Sequence, residues 1–417
     1  MPIHERGVYG AERVPLFLAA ADFLFLGCLT AVFLPHCLYS AFLPLLAVLV
    51  LYSCGEYSLF LEFRPRRLFG ISIVCGLFLV TAVVCQAVSG RSGPGSPALR
   101  LGAAALGCLG WALAHGGFTK RLLSMSCRFT FHLGPEMRLA GDAMDRHLSR
   151  SRYPACVLYD GRSGLPADRV PVDVVNPRRP AGDPQGRRTL DVDPARFCEA
   201  TLHVLPPAVL LSSPIARWEG RPRGLYEGGK RLFDVCAAAF LLVVCAPLMV
   251  LAAVGILLAD GRPVLFRQIR VGKNGRRFVL LKFRSLHAAP ATGGTPNDGI
   301  EERAFPFGTF LRRSRVDELP QLLNVLRGEM SLIGPRPEME FFHDRAAKTI
   351  PFYARRLEVR PGITGWAQVR FPHTTGETDY WDKTAYDLWY VRHRGPLTDL
   401  RITLRTIGVM LLGFGAR

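Results

Sequence analysis

The sequence predicts a membrane protein in three parts. Residues 1–120 form an α-helical amino-terminal bundle, 145–225 a small α/β insert, and 230–417 a mainly helical α+β domain with a re-entrant membrane helix at 235–259. Three observations predict this fold. Four apolar runs crowd the first third, each close to the roughly 20 residues that cross a 30 Å hydrocarbon core. Short strand-like runs follow, broken by Pro, Gly and Arg. A fifth apolar run is then bracketed by basic residues on both sides.

The four runs occupy residues 14–34, 37–60, 68–88 and 99–118, and Asp22 and Glu56 interrupt the first two. Arg6 and Arg13 precede the first run; Arg64, Arg66 and Arg67 separate the second from the third; Lys120, Arg121 and Arg128 follow the fourth. The loops on the other side hold only Arg91 and Arg100, so the positive-inside rule puts both ends of this unit in the cytoplasm. The same arrangement reconciles a chain that is 49% hydrophobic with a formal charge of +18. Basic residues beside apolar spans face anionic headgroups, at roughly 1 kcal/mol each. Because the charge is spread along the chain and flanks apolar runs, a nucleic-acid partner is not expected. The eleven cysteines include no C-x-x-C pair in the apolar stretches and read as small buried hydrophobes in a reducing compartment.

In the insert, residues 153–159, 170–175 and 204–211 read as strands, and 176–188 as a Pro- and Arg-rich loop. It contains no G-x-G-x-x-G or phosphate loop and reads as a spacer or assembly module.

The fifth run, 235–259, is long enough to cross the bilayer. Lys230 and Arg231 stand before it; Arg262, Arg267, Arg270 and Lys273 stand after it, which assigns both ends to one side. Pro247 at its middle removes a backbone hydrogen bond to Val243 and bends the helix. A helix that enters the cytoplasmic leaflet and returns satisfies all of these features.

Beyond Pro263 the chain becomes polar. Residues 264–267 and 277–283 alternate as two strands around a Lys273-Asn274-Gly275 turn. Residues 312–327 follow as a helix, with Val316, Leu319, Leu322, Leu323 and Leu326 on its apolar face. Asp317 and Glu318 sit near its start, where acidic side chains favour the helix dipole. The surrounding cations mark the pair as more than a helix start. Arg312, Arg313 and Arg315 precede it, and Arg336 is fixed between Pro335 and Pro337. Carboxylates among fixed arginines suit a Mg²⁺-diphosphate: oxygen ligands for the metal, guanidinium forks for the phosphates. Phosphoryl transfer is the chemistry expected here. The tryptophans and tyrosines at 366, 380, 381, 386, 389 and 390 read as core or bilayer anchors, and residues 400–412 as a helix at the headgroup boundary.

Six ordered segments then carry a resemblance. They are Lys230-Arg231-Leu232-Phe233-Asp234, Pro263-Val264-Leu265-Phe266-Arg267-Gln268, Lys282-Phe283-Arg284-Ser285, Asp317-Glu318-Leu319-Pro320-Gln321, Gly328 through Glu338 with its Gly334-Pro335-Arg336-Pro337 core, and Pro361 through Val369. Together they resemble the bacterial sugar transferase family of monotopic polyprenyl-phosphate sugar-1-phosphate transferases, over residues 230–417. Four preceding spans and a soluble insert are similar to the family's long form, and the final Leu-Gly-Phe-Gly-Ala-Arg resembles an exopolysaccharide subgroup.

The resemblance implies a catalytic domain at the cytoplasmic face of the bacterial inner membrane. Its substrates would be a UDP-sugar and undecaprenyl phosphate, its surroundings membrane lipids, and its bundle and insert would offer surfaces for a homodimer. It implies Asp317 as nucleophile, Glu318 as a Mg²⁺ ligand with Glu338 as a second candidate, and Arg336, Arg284, Lys282 and Arg315 as phosphate-binding residues. It also supports the re-entrant helix kinked at Pro247, although Ala246 precedes that proline where many relatives have Ser. The rival readings are direct transfer with Asp317 only holding metal, and a non-catalytic membrane scaffold acting through 145–225.

Overall fold

The computed structural model describes residues 128–133, 137–149, 155–159, 170–175, 187–211, 224–287, 303–370 and 377–411, together with 22–24, 26, 27, 47, 74, 75 and 105–113. The chain divides into two compact units, 1–217 and 218–417.

In the first unit most of the four expected spans lies outside the described residues, as does the loop at 176–186; the described positions within the spans are helical. The Trp111 indole N–H donates to Asp22 at 3.1 Å, with both residues buried. A carboxylate inside an apolar run thus has a partner from the fourth run, which offsets its desolvation. The insert is a four-stranded sheet. Strand β1 (Arg128–Leu133) leads through helix α1 (Arg138–Ser149) to β2 (Ala155–Tyr159), which pairs parallel to it. Strands β3 (Val170–Val175) and β4 (Arg187–Val192) extend the sheet antiparallel, in the order β2-β1-β3-β4. Ala140, Ala143, Met144 and Leu148 line one buried face of α1, at the helical spacing an amphipathic element requires.

Two expectations for the insert are corrected. The sheet begins with a strand at residue 128, ahead of the first strand expected at 153 and of the 145 start given to the module. The expected strand at 204–211 is a buried turn followed by a helix, Pro207–Leu211. Pro207 suits a first helical position, where its missing N–H would have no partner anyway, and a short apolar run does not by itself distinguish strand from buried helix.

In the second unit, helix α2 (Gly224–Asp260) runs for 37 residues with Pro247 inside it, about 55 Å at 1.5 Å per residue. Its buried residues, Asp234, Ala238, Ala252 and Ile256, form one narrow stripe. Phe240, Val243, Val244, Val250 and Leu251 between them are exposed, as on a helix with a lipid-facing surface. The two ends of the stripe pack on the same domain. Ala238 joins Phe278, Leu280, Leu322, Val325 and Met330; Ala252 and Ile256 join Phe283, Phe305, Leu311 and Val316.

Charged side chains tie down both helix ends. Lys230 Nζ meets Asp399 Oδ2 at 2.7 Å, Asp234 Oδ1 accepts from the Leu332 amide, and Arg231 donates to the Val325 and Leu326 carbonyls. At the other end Asp260 pairs with Arg284 at 3.0 Å and with His287 at 2.7 Å.

Strands β5 (Leu265–Val271) and β6 (Arg277–Phe283) form the expected antiparallel hairpin, with Asn274 and Gly275 at positive φ in its turn. Helix α3 (Pro306–Arg313) follows. The single helix expected over 312–327 is instead broken in two. Arg315 adopts a left-handed conformation (φ 58°), Val316–Glu318 form one 3₁₀ turn, and helix α4 (Gln321–Arg327) starts after Pro320. Proline supplies no N–H to continue the earlier helix. Gly328 (φ 84°) closes α4, a left-handed cap that costs glycine little.

Strand β7 (Ser331–Ile333) pairs parallel with β8 (Gly362–Thr364), and α5 (Glu340–Thr349) lies between them in sequence. A Cβ on Gly334 would lie 2.4 Å from the Arg360 carbonyl, so only glycine lets these two segments approach. Helices α6 (Trp366–Arg370), α7 (Glu377–His393) and α8 (Pro396–Leu411) complete the domain, with Trp366, Tyr386, Trp389 and Tyr390 in its core.

Asn324, fully buried on α4, joins that helix to β6. Its amide donates to the Val279 carbonyl and to Glu329, each at 2.7 Å, and its oxygen accepts from the Leu281 amide at 3.1 Å. An unsatisfied buried polar group costs about 1–3 kcal/mol. Asn324→Ala is therefore expected to destabilise the detergent-solubilised protein by about 3 kcal/mol in a denaturant titration; a loss below about 1 kcal/mol would contradict this clamp.

Candidate active site

Asp317 and Glu318 occupy the 3₁₀ turn between α3 and α4, and both are buried. Adjacent carboxylates repel each other and lose hydration on burial, so the fold has to surround them with cations. Three reach Glu318. Lys282 from β6 meets Oε1 at 3.2 Å, Arg336 from the loop after β7 meets the same oxygen at 3.3 and 3.4 Å, and Arg315 lies 3.5 Å from Oε2. The left-handed backbone at Arg315 gives the turn its start and returns that side chain to the carboxylate three residues on.

The two acids differ in ionisation. Burial raises the Asp317 carboxyl to about 6, with Lys282 as the strongest opposing influence and Glu318 adding to the rise. Burial also works against ionised Glu318, but Lys282, then Arg336 and Arg315, outweigh it and hold this carboxyl well below the usual range. Asp317 Oδ1 is buried and has no hydrogen-bond partner. One acid is thus saturated by cations, while the other presents an unengaged oxygen.

The expected site residues separate into two groups and an outlier. Lys282, Arg315 and Arg336 converge on Asp317 and Glu318. Glu338 sits two residues beyond Arg336 in a second, adjoining cluster, where it forms an ion pair with Lys383. Burial opposes its ionisation, yet Lys383, Arg356 and Arg270 hold its carboxyl down at about 2. Arg284 lies elsewhere: its guanidinium donates to the Gly261 carbonyl at 2.8 Å and the Arg262 carbonyl at 2.9 Å, and pairs with Asp260. Its position makes it a carboxyl-terminal cap of α2, where cations match exposed carbonyls and the helix dipole. Pro247 lies mid-helix, away from these side chains in sequence and in the core clusters.

Among the described residues no three His, Cys, Asp or Glu side chains gather as a preformed cation cage. The donor chemistry nevertheless fits Mg²⁺, which commonly takes one or two carboxylates and completes its shell with substrate phosphates and water. The unpartnered Asp317 oxygen and neighbouring Glu318 supply hard donors. Glu338 belongs to the adjoining cluster with Lys383 and does not share the turn that holds Asp317 and Glu318.

Sequence reasoning missed Arg270, Arg356, Lys383 and Asp387. Arg270 donates to the Pro337 carbonyl at 3.1 Å. Lys383 and Asp387 stand four residues apart in the aromatic-rich α7, so they share one face, and both are buried. Charges spaced i, i+4 within a run of Trp, Tyr, Leu and Val were the available signal.

Comparison with known proteins covers the second unit. A family model described as bacterial sugar transferase matches residues 225–413. The UDP-N-acetylgalactosamine-undecaprenyl-phosphate N-acetylgalactosaminephosphotransferase of Aeromonas hydrophila is 42% identical over 198 residues, 47% of this chain and 47% of that protein. The UDP-glucose:undecaprenyl-phosphate glucose-1-phosphate transferase of Caulobacter vibrioides is 42% identical over 199 residues, 46% of this chain and 72% of its own length. An uncharacterized sugar transferase of Bacillus subtilis, EpsL, is 39% identical over 193 residues, 45% of this chain and 89% of its own length. The match therefore spans about half of the Aeromonas protein and most of the other two.

Removing Lys282 tests the electrostatics directly, because it is the strongest influence holding Asp317 down. In Lys282→Met the Asp317 carboxyl should titrate above about 6, followed by carbon NMR of protein labelled at aspartate carboxyls. An unmoved midpoint would contradict the proposed cation field.

Proposed function

The chain belongs to the bacterial sugar transferase family, and we propose that it transfers a sugar-1-phosphate from a UDP-sugar to undecaprenyl phosphate through an aspartyl intermediate on Asp317. The named Aeromonas and Caulobacter relatives differ in sugar and agree in nucleotide and lipid carrier. The observation that carries the mechanism is the contrast within the buried pair. Glu318 is held ionised and fully engaged, whereas Asp317 has an unpartnered oxygen and a carboxyl raised to about 6, still ionised at neutral pH. Two acids pushed apart by their surroundings divide two roles.

In the first step an Asp317 oxygen attacks the sugar-linked phosphorus of the UDP-sugar. The bond to the bridging oxygen breaks, UMP leaves with the electron pair, and a phospho-sugar ester of Asp317 remains. In the second step an oxygen of undecaprenyl phosphate attacks the same phosphorus, the aspartyl bond breaks, and the Asp317 carboxylate is restored. Covalent catalysis thereby separates two anionic partners that would repel each other in direct displacement. Arg336 and Lys282 hold the phosphate oxygens and offset charge that grows in the transition state, and Arg315 supports them through Glu318. When bound beside Glu318, Mg²⁺ offsets diphosphate charge and orients the leaving group.

The reaction needs a cytosolic nucleotide sugar and a membrane lipid to meet at one carboxylate. Helix α2 supports that meeting, because both ends of its buried stripe pack on one domain while its middle exposes apolar side chains. A helix that dips into the cytoplasmic leaflet of the inner membrane and returns has those contacts, and Pro247 provides the bend. The product would start a membrane-carried glycan such as an exopolysaccharide.

Asp317→Asn should abolish UMP release from UDP-sugars, and a sugar-phosphate labelled at phosphorus should remain on the wild-type protein when acceptor is withheld. Retained turnover in the variant, or no trapped label, would favour direct transfer. Because only the carboxylate attacks, kcat/KM should fall tenfold per pH unit below about 6, the Asp317 midpoint, and level off above it. A tag placed after Arg417 should react only from the cytoplasmic side, and periplasmic labelling would refute the re-entrant arrangement.

A further inference from the structure

The loop that aims Arg336 at the dyad is held from behind by a buried arginine. Arg356 has its Nη2 shared between the Arg336 carbonyl at 2.8 Å and Asp387 Oδ2 at 2.8 Å. Its Nε also reaches Asp387 Oδ2, at 3.1 Å, and its Nη1 donates to the Tyr353 hydroxyl at 3.0 Å. Arg356 and Asp387 are 4% and 1% exposed, so neither is available to bind a substrate from solution. Pro335 and Pro337 flank Arg336 and have no N–H, so carbonyl oxygens must carry the tethers in this segment. The neighbouring carbonyls are held as well: Pro335 by the Gly362 amide, Pro337 by Arg270, and Glu338 by the Val271 amide.

We propose that Arg356, oriented by Asp387, is a positioning residue for Arg336, and that the Arg336–Arg356–Asp387 chain sets how tightly the site holds an anionic diphosphate. The proposal rests on the function above in one respect, the assignment of a diphosphate to Arg336. A planar guanidinium is suited to the task, because one nitrogen bridges a carbonyl and a carboxylate while a second locks the plane. Asp387 neutralises the charge that Arg356 would otherwise carry unpaired into the core. Arg336 can then spend its own guanidinium on Glu318 and substrate, with its backbone already fixed.

Removing one partner of a buried pair strands the other, so the test replaces both. The variant Arg356→Met/Asp387→Leu substitutes apolar side chains, an exchange that is often neutral for stability. Hydrogen exchange at the amides of Gly334, Arg336 and Glu338 requires no substrate and should accelerate about tenfold or more in this variant. Its KM for the UDP-sugar should rise about tenfold, and that rise should vanish in an Arg336→Ala background, because both changes act through one side chain. A folded double variant with wild-type exchange and KM would overturn the proposal, as would effects that simply add to Arg336→Ala. If the double variant does not fold, Arg356→Lys retains the charge opposite Asp387 without the planar fork and should move both readouts in the same direction; unchanged readouts there are equally fatal. Should the wild type release no UMP from any UDP-sugar, the proposed function fails, and the exchange measurement still decides whether Arg356 positions the loop.

Discussion

Burying Asp317 beside Glu318 is the constraint around which the second unit is organised. Two neighbouring carboxylates removed from water demand compensation, and no single element could provide it. The turn itself supplies Arg315, β6 supplies Lys282 and the loop after β7 supplies Arg336. Each must be placed to within hydrogen-bonding distance, so the hairpin, α4 and the β7–β8 pair are positioned relative to one another with little tolerance. Asn324 fixes α4 to β6, and the close approach at Gly334 fixes the Arg336 loop to the segment before β8. Arg356 and Asp387 extend the same logic one layer deeper.

The long apolar helix belongs to this scheme as well. Lys230, Arg231 and Asp234 bind its start to α8, α4 and β7, and Asp260 with Arg284 and His287 binds its end to the chain after β6. Such anchoring keeps the apolar middle from sliding relative to the charged turn. Val316 joins the core formed by Ala252 and Ile256, so Asp317 follows directly upon a residue packed on the helix. The turn that carries Asp317 is therefore coupled mechanically to the long apolar helix.

Much of this organisation was legible in the sequence where the local signal had one meaning. The β5–β6 hairpin followed from alternation around Lys273-Asn274-Gly275, and Arg315 and Arg336 followed from the density of arginines near two acids, whereas Lys282 entered only with the family resemblance. The reading failed where a local pattern admitted two structures. Apolar spacing over 312–327 suited a continuous helix, but the positive φ at Arg315 is set by tertiary placement of the turn and leaves no periodicity behind. The run at 204–211 was too short for periodicity to separate strand from buried helix. Arg284 illustrates another limit: the resemblance gave it the same task as Lys282, but it stands just past the end of β6, where its guanidinium caps the end of α2 and pairs with Asp260. Pairings such as Arg356 with Asp387 join residues 31 apart and become visible only once α7 is folded against the loop.

The saturation of Glu318 has a consequence for the order of events. Lys282 and Arg336 share one of its oxygens, so in the absence of substrate these cations are spent on an internal partner. A diphosphate entering the site would compete for them, and each hydrogen bond transferred to phosphate leaves Glu318 more able to coordinate a hard cation arriving with the substrate. It would also weaken the cation influences that lower the Asp317 carboxyl, leaving burial to hold that group more basic and poorly solvated. Binding of a diphosphate and the change around Asp317 would then be a single exchange of partners. Such an exchange demands that the Arg336 backbone stay in place while its side chain changes allegiance, and a loop held at four successive carbonyls, Pro335 through Glu338, meets that demand.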